Sequence, residues 1–459
     1  MPLTKPTLHM HTLTRKVLGM MGVFGGVEVL NLLCSVVRTK LVAIWIGAAG
    51  VGLFGLFNAA IEMMCTLSQL GLRTSSVKDI ASASGAERSL IIRVVRRCAR
   101  WMALAGAVLT VVLSPILSRV TFGSLDYMWA FMALATVVAL NCLVAGEGAV
   151  LQGLGRLKVI ARASVYSVTV SLIVSLPIIY FLRINGVVPV IIVYSAVTAT
   201  VYALVRERGV TDDSELTYRQ TWEKAKGLIK LGAFLTISGF VTWAVSYIIM
   251  SYINHAGGES EMGYYQSGFT LSVRYAGIVF TALGMEYFPR ISSVAQSGVK
   301  RLTVMLRHQS RVVLWVVTLL ACCMAVAAPW IVRLLYSGDF MAVVPMVVLA
   351  SPGLVLRGVS WTMAFVIIAK GDGRVYLLTE LTSGIMCLVL NIAGYSLYGL
   401  PGVGFAFSVW YALYALIVWG VLRKRYGIHA RVAVPVLVAV ATVCAVVGLA
   451  YAAGVWSLS

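Results

Sequence analysis

Charge is scarce in this chain: Asp, Glu, Lys and Arg make up 12% of 459 residues, and only 17 of those residues are acidic. A water-soluble fold needs a polar surface, and a composition that is 60% hydrophobic with a mean hydropathy of +0.92 cannot cover one. Carboxylates and histidines also fail to gather. Asp126, Glu259, Glu261 and Asp339 are scattered over short connections, so the sizeable extramembrane acid/base cluster of a membrane glycosyltransferase or repeat-unit polymerase is missing. The eight cysteines form no CxxC and no Cys/His group at metal spacing, and they read as small apolar packing residues. No small-residue cleavage site follows the polar, basic first 18 residues, so the first apolar segment is expected to be a retained helix.

What remains is apolar in long runs. Stretches of roughly 20 residues recur, enough to cross about 30 Å of hydrocarbon as helix. A β-barrel would show alternating segments of about 10 residues, and runs such as 432–455 do not alternate. The pattern predicts an all-α integral membrane protein with thirteen spans. They lie near 19–46, 51–71, 98–118, 127–151, 160–182, 187–205, 231–254, 264–286, 311–331, 341–369, 376–396, 402–422 and 432–455. The formal charge of +20 is not gathered into one soluble patch of the kind that binds nucleic acid. With the N-terminus inside, 30 of the 37 Lys and Arg fall at that terminus or in the even-numbered connections. Three (Arg119, Arg183, Arg333) fall outside and four lie within spans. This bias puts the N-terminus in the cytoplasm, and an odd number of spans puts Ser459 on the opposite face. The longest connection, near 206–230, is too short for a catalytic domain.

The two halves repeat in parallel. RTSSV at 73–77 matches RISSV at 290–294, PILSRVTFG around Pro115 matches PWIVRLLYS around Pro329, GLGR at 153–156 matches GDGR at 371–374, and the segment around Gly52 resembles that around Gly263. Six spans separate equivalent points, so both halves enter the membrane the same way, as two pseudo-symmetric six-helix lobes around a central cleft. The expected organisation is a cytoplasmic N-terminus (1–18), a first lobe (19–206), a cytoplasmic linker (207–230), a second lobe (231–424) and an additional helix (425–459). The GxGR elements read either as tight turns with a basic stop or as phosphate-binding turns.

Three segments, RTKLVAIWIGAAGVGLFGLFNA at 38–59, SRVTFGSLDY at 118–127 and FVIIAKGDGRVYLLTELTS at 365–383, resemble the polysaccharide transporter branch of the multidrug/oligosaccharidyl-lipid/polysaccharide exporter superfamily. The last is particularly similar to O-antigen translocases and to the flippase for the enterobacterial common antigen repeat. The resemblance covers nearly the whole chain. It implies a bacterial inner-membrane flippase, not an enzyme, moving an undecaprenyl-diphosphate oligosaccharide to the periplasmic leaflet by alternating access. It also implies a lipid-linked glycan as cargo, a polysaccharide polymerase and chain-length machinery as partners, and proton or sodium coupling with no bound cofactor or metal. Family members have twelve or fourteen helices, against thirteen counted here. The alternative within the superfamily is a cation-coupled multidrug exporter, against which four bases inside the spans argue.

Those buried charges are the candidate site. A charge at mid-bilayer costs at least about 2.5 kcal/mol, so each needs a partner, a wet cavity or a function. Glu28, Asn31, Ser35 and Arg38 lie on one stripe of the first span, expected to face the cleft, while Lys40 points elsewhere, either snorkelling or meeting cargo. Arg274 and Arg357 sit mid-span, and their repeat equivalents, Met63 and Ala139, are uncharged. Either they pair with Glu62 or Glu147 as structural ions, or they recognise the diphosphate with their planar forks of donors. The resemblance places spans 1, 2, 7 and 8 around the cleft, which favours Arg38 and Arg274. Glu28, Glu62, Glu147 and Glu380 are the candidates for ion coupling.

Overall fold

The computed structural model describes residues 26–27, 29–207, 218–295, 297–429 and 433–452, with backbone alone over 218–235 and at 285 and 289. The N-terminal tail, Glu28 and Ser459 lie outside the described residues. Helix α1 is described over 29–45 and is followed by α2 (Ala48–Gln69), the short α3 (Leu72–Ser82), α4 (Gly85–Phe122), α5 (Met128–Gly153), α6 (Leu157–Leu182) and α7 (Val187–Leu204). Then come α8 (Tyr218–Phe269), a π-helical turn (Thr270–Tyr275), α9 (Ala276–Val294), α10 (Val299–Leu335), α11 (Val344–Ala369), α12 (Gly373–Tyr426) and α13 (Ala433–Ala452).

Among the described residues no strand occurs, and nine helical stretches are long and apolar enough to cross a membrane. Three of the nine are double passes. Leu157–Leu204 turns at Arg183–Gly186, Thr236–Val294 is broken at Gly258 (φ 81°), and Gly373–Tyr426 is broken at Gly399 (φ 62°), where only glycine adopts the backbone without strain. With α1 added, the helices make thirteen passes, as the sequence pattern predicts.

Helix lengths carry the duplication more firmly than the motifs. Gly85 and Val299 open α4 and α10 at an offset of 214, and Pro115 and Pro329 keep that offset inside them. Helices α5 and α11 have 26 residues each, at an offset of 216, and Leu157 and Gly373 open α6 and α12 at the same offset. This frame corrects the sequence alignment of GLGR with GDGR, which lies at 218. The left-handed glycines are Gly155 and Gly371, 216 apart, and each ends its helix with the same pair of bonds. Gly155 N–H donates to Gln152 O and Arg156 N–H to Leu151 O; Gly371 donates to Ile368 and Asp372 to Ile367. These are glycine C-caps, which accounts for the motif without a phosphate. Arg156 therefore corresponds to Asp372, and Arg357 to Asn141 and not to Ala139.

Two further expectations are refined. Helix α4 spans 38 residues where the hydropathy predicts a span of 98–118. At about 57 Å it outruns the hydrocarbon. Arg88, Arg93, Arg96, Arg97 and Arg100 consequently ride on a helical extension and not in a loop, and α10 carries Lys300, Arg301, Arg307 and Arg311 in the same way.

The chain forms two compact units, 1–45 with 57–240 and 46–56 with 241–459. In the first, α4 packs on α5, and α5 on α7. An aromatic cluster of Phe57, Phe122, Tyr127 and Phe131 fills the end away from the arginines, with Phe122 and Tyr127 stacked at 3.9 Å. In the second, a continuous core joins α9, α10, α11 and α12, and α13 adds Ala439 and Val443 to it. Within that unit the start of α2 crosses the helix after Gly258 backbone to backbone. A Cβ at Gly52 would lie 2.5 Å from Glu259 O, and one at Gly263 would collide with Ala48 O. The contact is reciprocal: Ala48 and Glu259, and Gly52 and Gly263, are both 211 apart, as expected where repeat-equivalent helices meet.

Candidate functional site

The polar stripe of α1 lines a cavity. Asn31, Cys34, Ser35 and Arg38 face a space of ≈ 280 Å³ in the first unit, closed by Val144 of α5, Ser164, Ser167, Val168 and Leu172 of α6, and Tyr194, Thr198 and Tyr202 of α7. The stripe survives because residues spaced three and four apart share a helix face. The same arithmetic holds on the opposing walls. Ser164 and Ser167 lie three apart on α6, and Tyr194, Thr198 and Tyr202 follow one another at four on α7. Those hydroxyl ladders are a sequence signal of the site that charge alone does not reveal.

Arg38 is half-buried, with its guanidinium carbon 5.4 Å from the centre of the Tyr194 ring, a cation–π distance. Among the described residues that line the cavity there is no carboxylate. Two of its buried oxygens, Asn31 Oδ1 and Ser167 Oγ, have no hydrogen-bond partner among the described residues. A buried polar atom without a partner costs about 1 to 3 kcal/mol, a cost that a hydroxylated or hydrated ligand would remove. Chemically the space offers one forked cation, several hydroxyls and an amide, a set suited to a phosphate or a sugar-sized polar group. Lys40 is absent from this lining.

A second cavity of ≈ 500 Å³ adjoins the first, sharing Val144 and Tyr202 with it. At its basic end Glu147 is fully engaged. Arg96 holds it through Nε at 2.9 Å and Nη2 at 3.0 Å, and Arg206 Nε lies at 3.2 Å. Arg96 also donates to Glu207 O, while the Glu207 carboxylate pairs with Arg156. Glu147 thus ties α5 to α4 and to the segment that follows α7, with its carboxylate held by Arg96 and Arg206.

The second unit treats its arginines differently. Arg274 is exposed, within the π-helical turn. Arg357 donates from Nη1 to Val273 O at 3.1 Å and lies over the rings of Phe280 (4.9 Å) and Tyr411 (5.9 Å). Glu380 accepts from Tyr414 Oη at 2.8 Å. Glu62 is exposed on α2. The structure therefore brings Asn31 and Arg38 together, leaves Arg357 in a packed aromatic setting, and places Glu147 in an ion-pair cluster. Among the described residues no group of three His, Cys, Asp or Glu could hold a metal ion.

Known proteins agree with this architecture. No curated protein sequence matches the chain. Among solved structures, an inward-facing multidrug resistance MATE family transporter of the MOP superfamily is 15% identical, with a TM-score of 0.73 over 86% of this chain and 94% of that one. The lipid II flippase MurJ, in an inward closed conformation, is 13% identical, with a TM-score of 0.65 over 89% and 88%. A MOP superfamily transporter from Pyrococcus furiosus, described by the reverse polarity of its binding pocket, is 17% identical, with a TM-score of 0.59 over 88% and 93%. At these identities the likeness establishes the fold. A family model described as polysaccharide biosynthesis protein matches residues 35–345, about two thirds of the sequence. The chain accordingly belongs to the polysaccharide biosynthesis protein family, on the helical two-lobe fold of the MOP superfamily transporters.

Proposed function

We propose that the chain is a flippase moving undecaprenyl-diphosphate-linked oligosaccharide from the cytoplasmic to the periplasmic leaflet of a bacterial inner membrane, by alternating access of its two lobes. The observation that carries this reading is the Arg38 cavity: a guanidinium among hydroxyls and an amide, with buried oxygens that have no partner among the described residues. A diphosphate is met by a fork of donors, and the neighbouring sugar by hydroxyls and an amide. The family description and the likeness to a lipid II flippase support the same reading. A cation-coupled drug exporter would need an anionic site, and the charged side chain that the described lining supplies is Arg38. For coupling, Glu380 and Glu62 remain the carboxylates to test, since Glu147 is committed to Arg96 and Arg206.

Proteoliposomes loaded with defined lipid-linked glycans test the function. Transfer of the glycan to the leaflet read by an external glycosidase, dependent on the protein, is the expected result. Export of cationic dyes by the same vesicles, with no glycan transfer, would overturn it.

A further inference from the structure

The second unit contains a break of regularity with a specific support beneath it. Six residues, Thr270–Tyr275, wind as π-helix between α8 and α9, and Arg274 is among them. A π turn holds one extra residue per turn, which rotates the succeeding helix by about 100° and weakens the local ladder of backbone bonds. Such turns are rare in general but frequent at functional sites. Here the carbonyl of Val273, next to Arg274, accepts from Arg357 Nη1 at 3.1 Å as well as from the Ala276 N–H. Arg357 is itself fixed by the rings of Phe280, on the helix leaving the π turn, and Tyr411 of α12.

The first half supplies the contrast. At the position equivalent to Arg357 stands Asn141, whose amide donates to the Cys65 sulfur at 3.8 Å, and there α2 runs as unbroken α-helix from Ala48 to Gln69. The half with the arginine has the π turn, and the half with the asparagine has neither.

We propose that Arg357 is a positioning residue: by holding the Val273 carbonyl it maintains the π turn and thereby the direction in which Arg274 is presented. The cargo role of Arg274 rests on the flippase reading above. Arg357 acts through the backbone, with its own guanidinium occupied by a carbonyl and two aromatic faces.

Two measurements test this. In transport, Arg357→Ala should lower glycan export per inserted molecule by about tenfold, the size of one charged hydrogen bond. Arg357→Lys should recover part of it, and Arg274→Ala/Arg357→Ala should be no worse than Arg274→Ala alone. Multiplied losses in the double variant would make Arg357 an independent contact and overturn the proposal, as would lower abundance with normal export per molecule. In a background stripped of native cysteines, a cysteine at 274 should react with a charged thiol reagent at a rate that changes severalfold with Arg357→Ala and little with Arg357→Lys. An unchanged rate overturns the positioning role. This second readout stands even where Arg274→Ala exports normally, a result that would count against the cargo reading alone.

Discussion

The same side chain is put to two uses in the two halves. In the first unit Arg38 borders a hydroxyl-lined cavity, and its guanidinium lies against a ring face. In the second, Arg357 donates to a carbonyl and lies over two rings, so its guanidinium is packed against the fold. Both are arginines within predicted spans, of the kind that a charge in the bilayer makes a candidate. Their environments, and not their depth, separate a group free to meet an anion from one that holds a helix in shape. The halves also reverse a charge: Arg156 pairs with Glu207 after α5, and its equivalent Asp372 pairs with Arg425 after α11. Each half thus places an ion pair at that corner, with opposite polarity.

The first difference is the easiest to break. Arg38→Ala should reduce glycan export per inserted molecule by about a hundredfold, the worth of two charge-assisted hydrogen bonds, while abundance in the membrane stays near normal. Arg38→Lys should keep part of the activity, since the charge persists without the fork. Immunoblots of membrane fractions read beside export in the same cells separate site from scaffold. Normal export by Arg38→Ala would remove the cavity from the mechanism.

Glu147 should show the reverse profile. Its side chain is 16% exposed and that of Arg96 is 9% exposed, so Glu147→Gln leaves buried guanidinium charge without a counter-ion. Breaking such a pair costs about 3 to 5 kcal/mol. Lower inserted abundance and a lower melting temperature in detergent are expected, with export per surviving molecule nearly unchanged. A coupling role would instead appear as normal abundance with export that no longer follows the ion gradient.

The fold was legible because the bilayer admits so few solutions: runs of about 20 apolar residues and the count of thirteen passes needed only hydropathy. The stripe Asn31, Ser35, Arg38 was legible for the same reason, since helical periodicity is visible in one chain. The pairing of Glu147 with Arg96 and Arg206 could not be read, because the partners lie 51 and 59 residues away and Arg96 was assigned to a loop by a span drawn too short. The register of the repeat slipped by two residues at GDGR because identical letters were weighed above the left-handed glycine, the position that geometry constrains. The π turn has no composition of its own and could not be read at all.

The reversed corner makes the smallest and most direct test of the frame. Asp372 caps α12 by accepting from Val375 N–H at 3.4 Å, and it also accepts from Arg425 Nε at 2.8 Å and Tyr426 Oη at 3.0 Å. Desolvation pulls its carboxyl upward, but the hydrogen bonds from Tyr426, Val375 and Arg425, with the Arg425 charge, bring it below the ordinary carboxylate value. A carboxyl depressed in the folded state stabilises above its unfolded value, about pH 4, and that contribution is lost as pH falls through the folded value. Because the pair is partly exposed, the loss in Asp372→Asn should be slight, a melting temperature lower by about one or two degrees near neutral pH and no difference from the parent at strongly acid pH. If the corner requires only opposite signs, Asp372→Arg with Arg425→Glu should recover most of what Asp372→Arg alone loses, reproducing in the second half the polarity of the first. Recovery short of half would show that the cap on Val375, which arginine cannot supply, matters more than the pair.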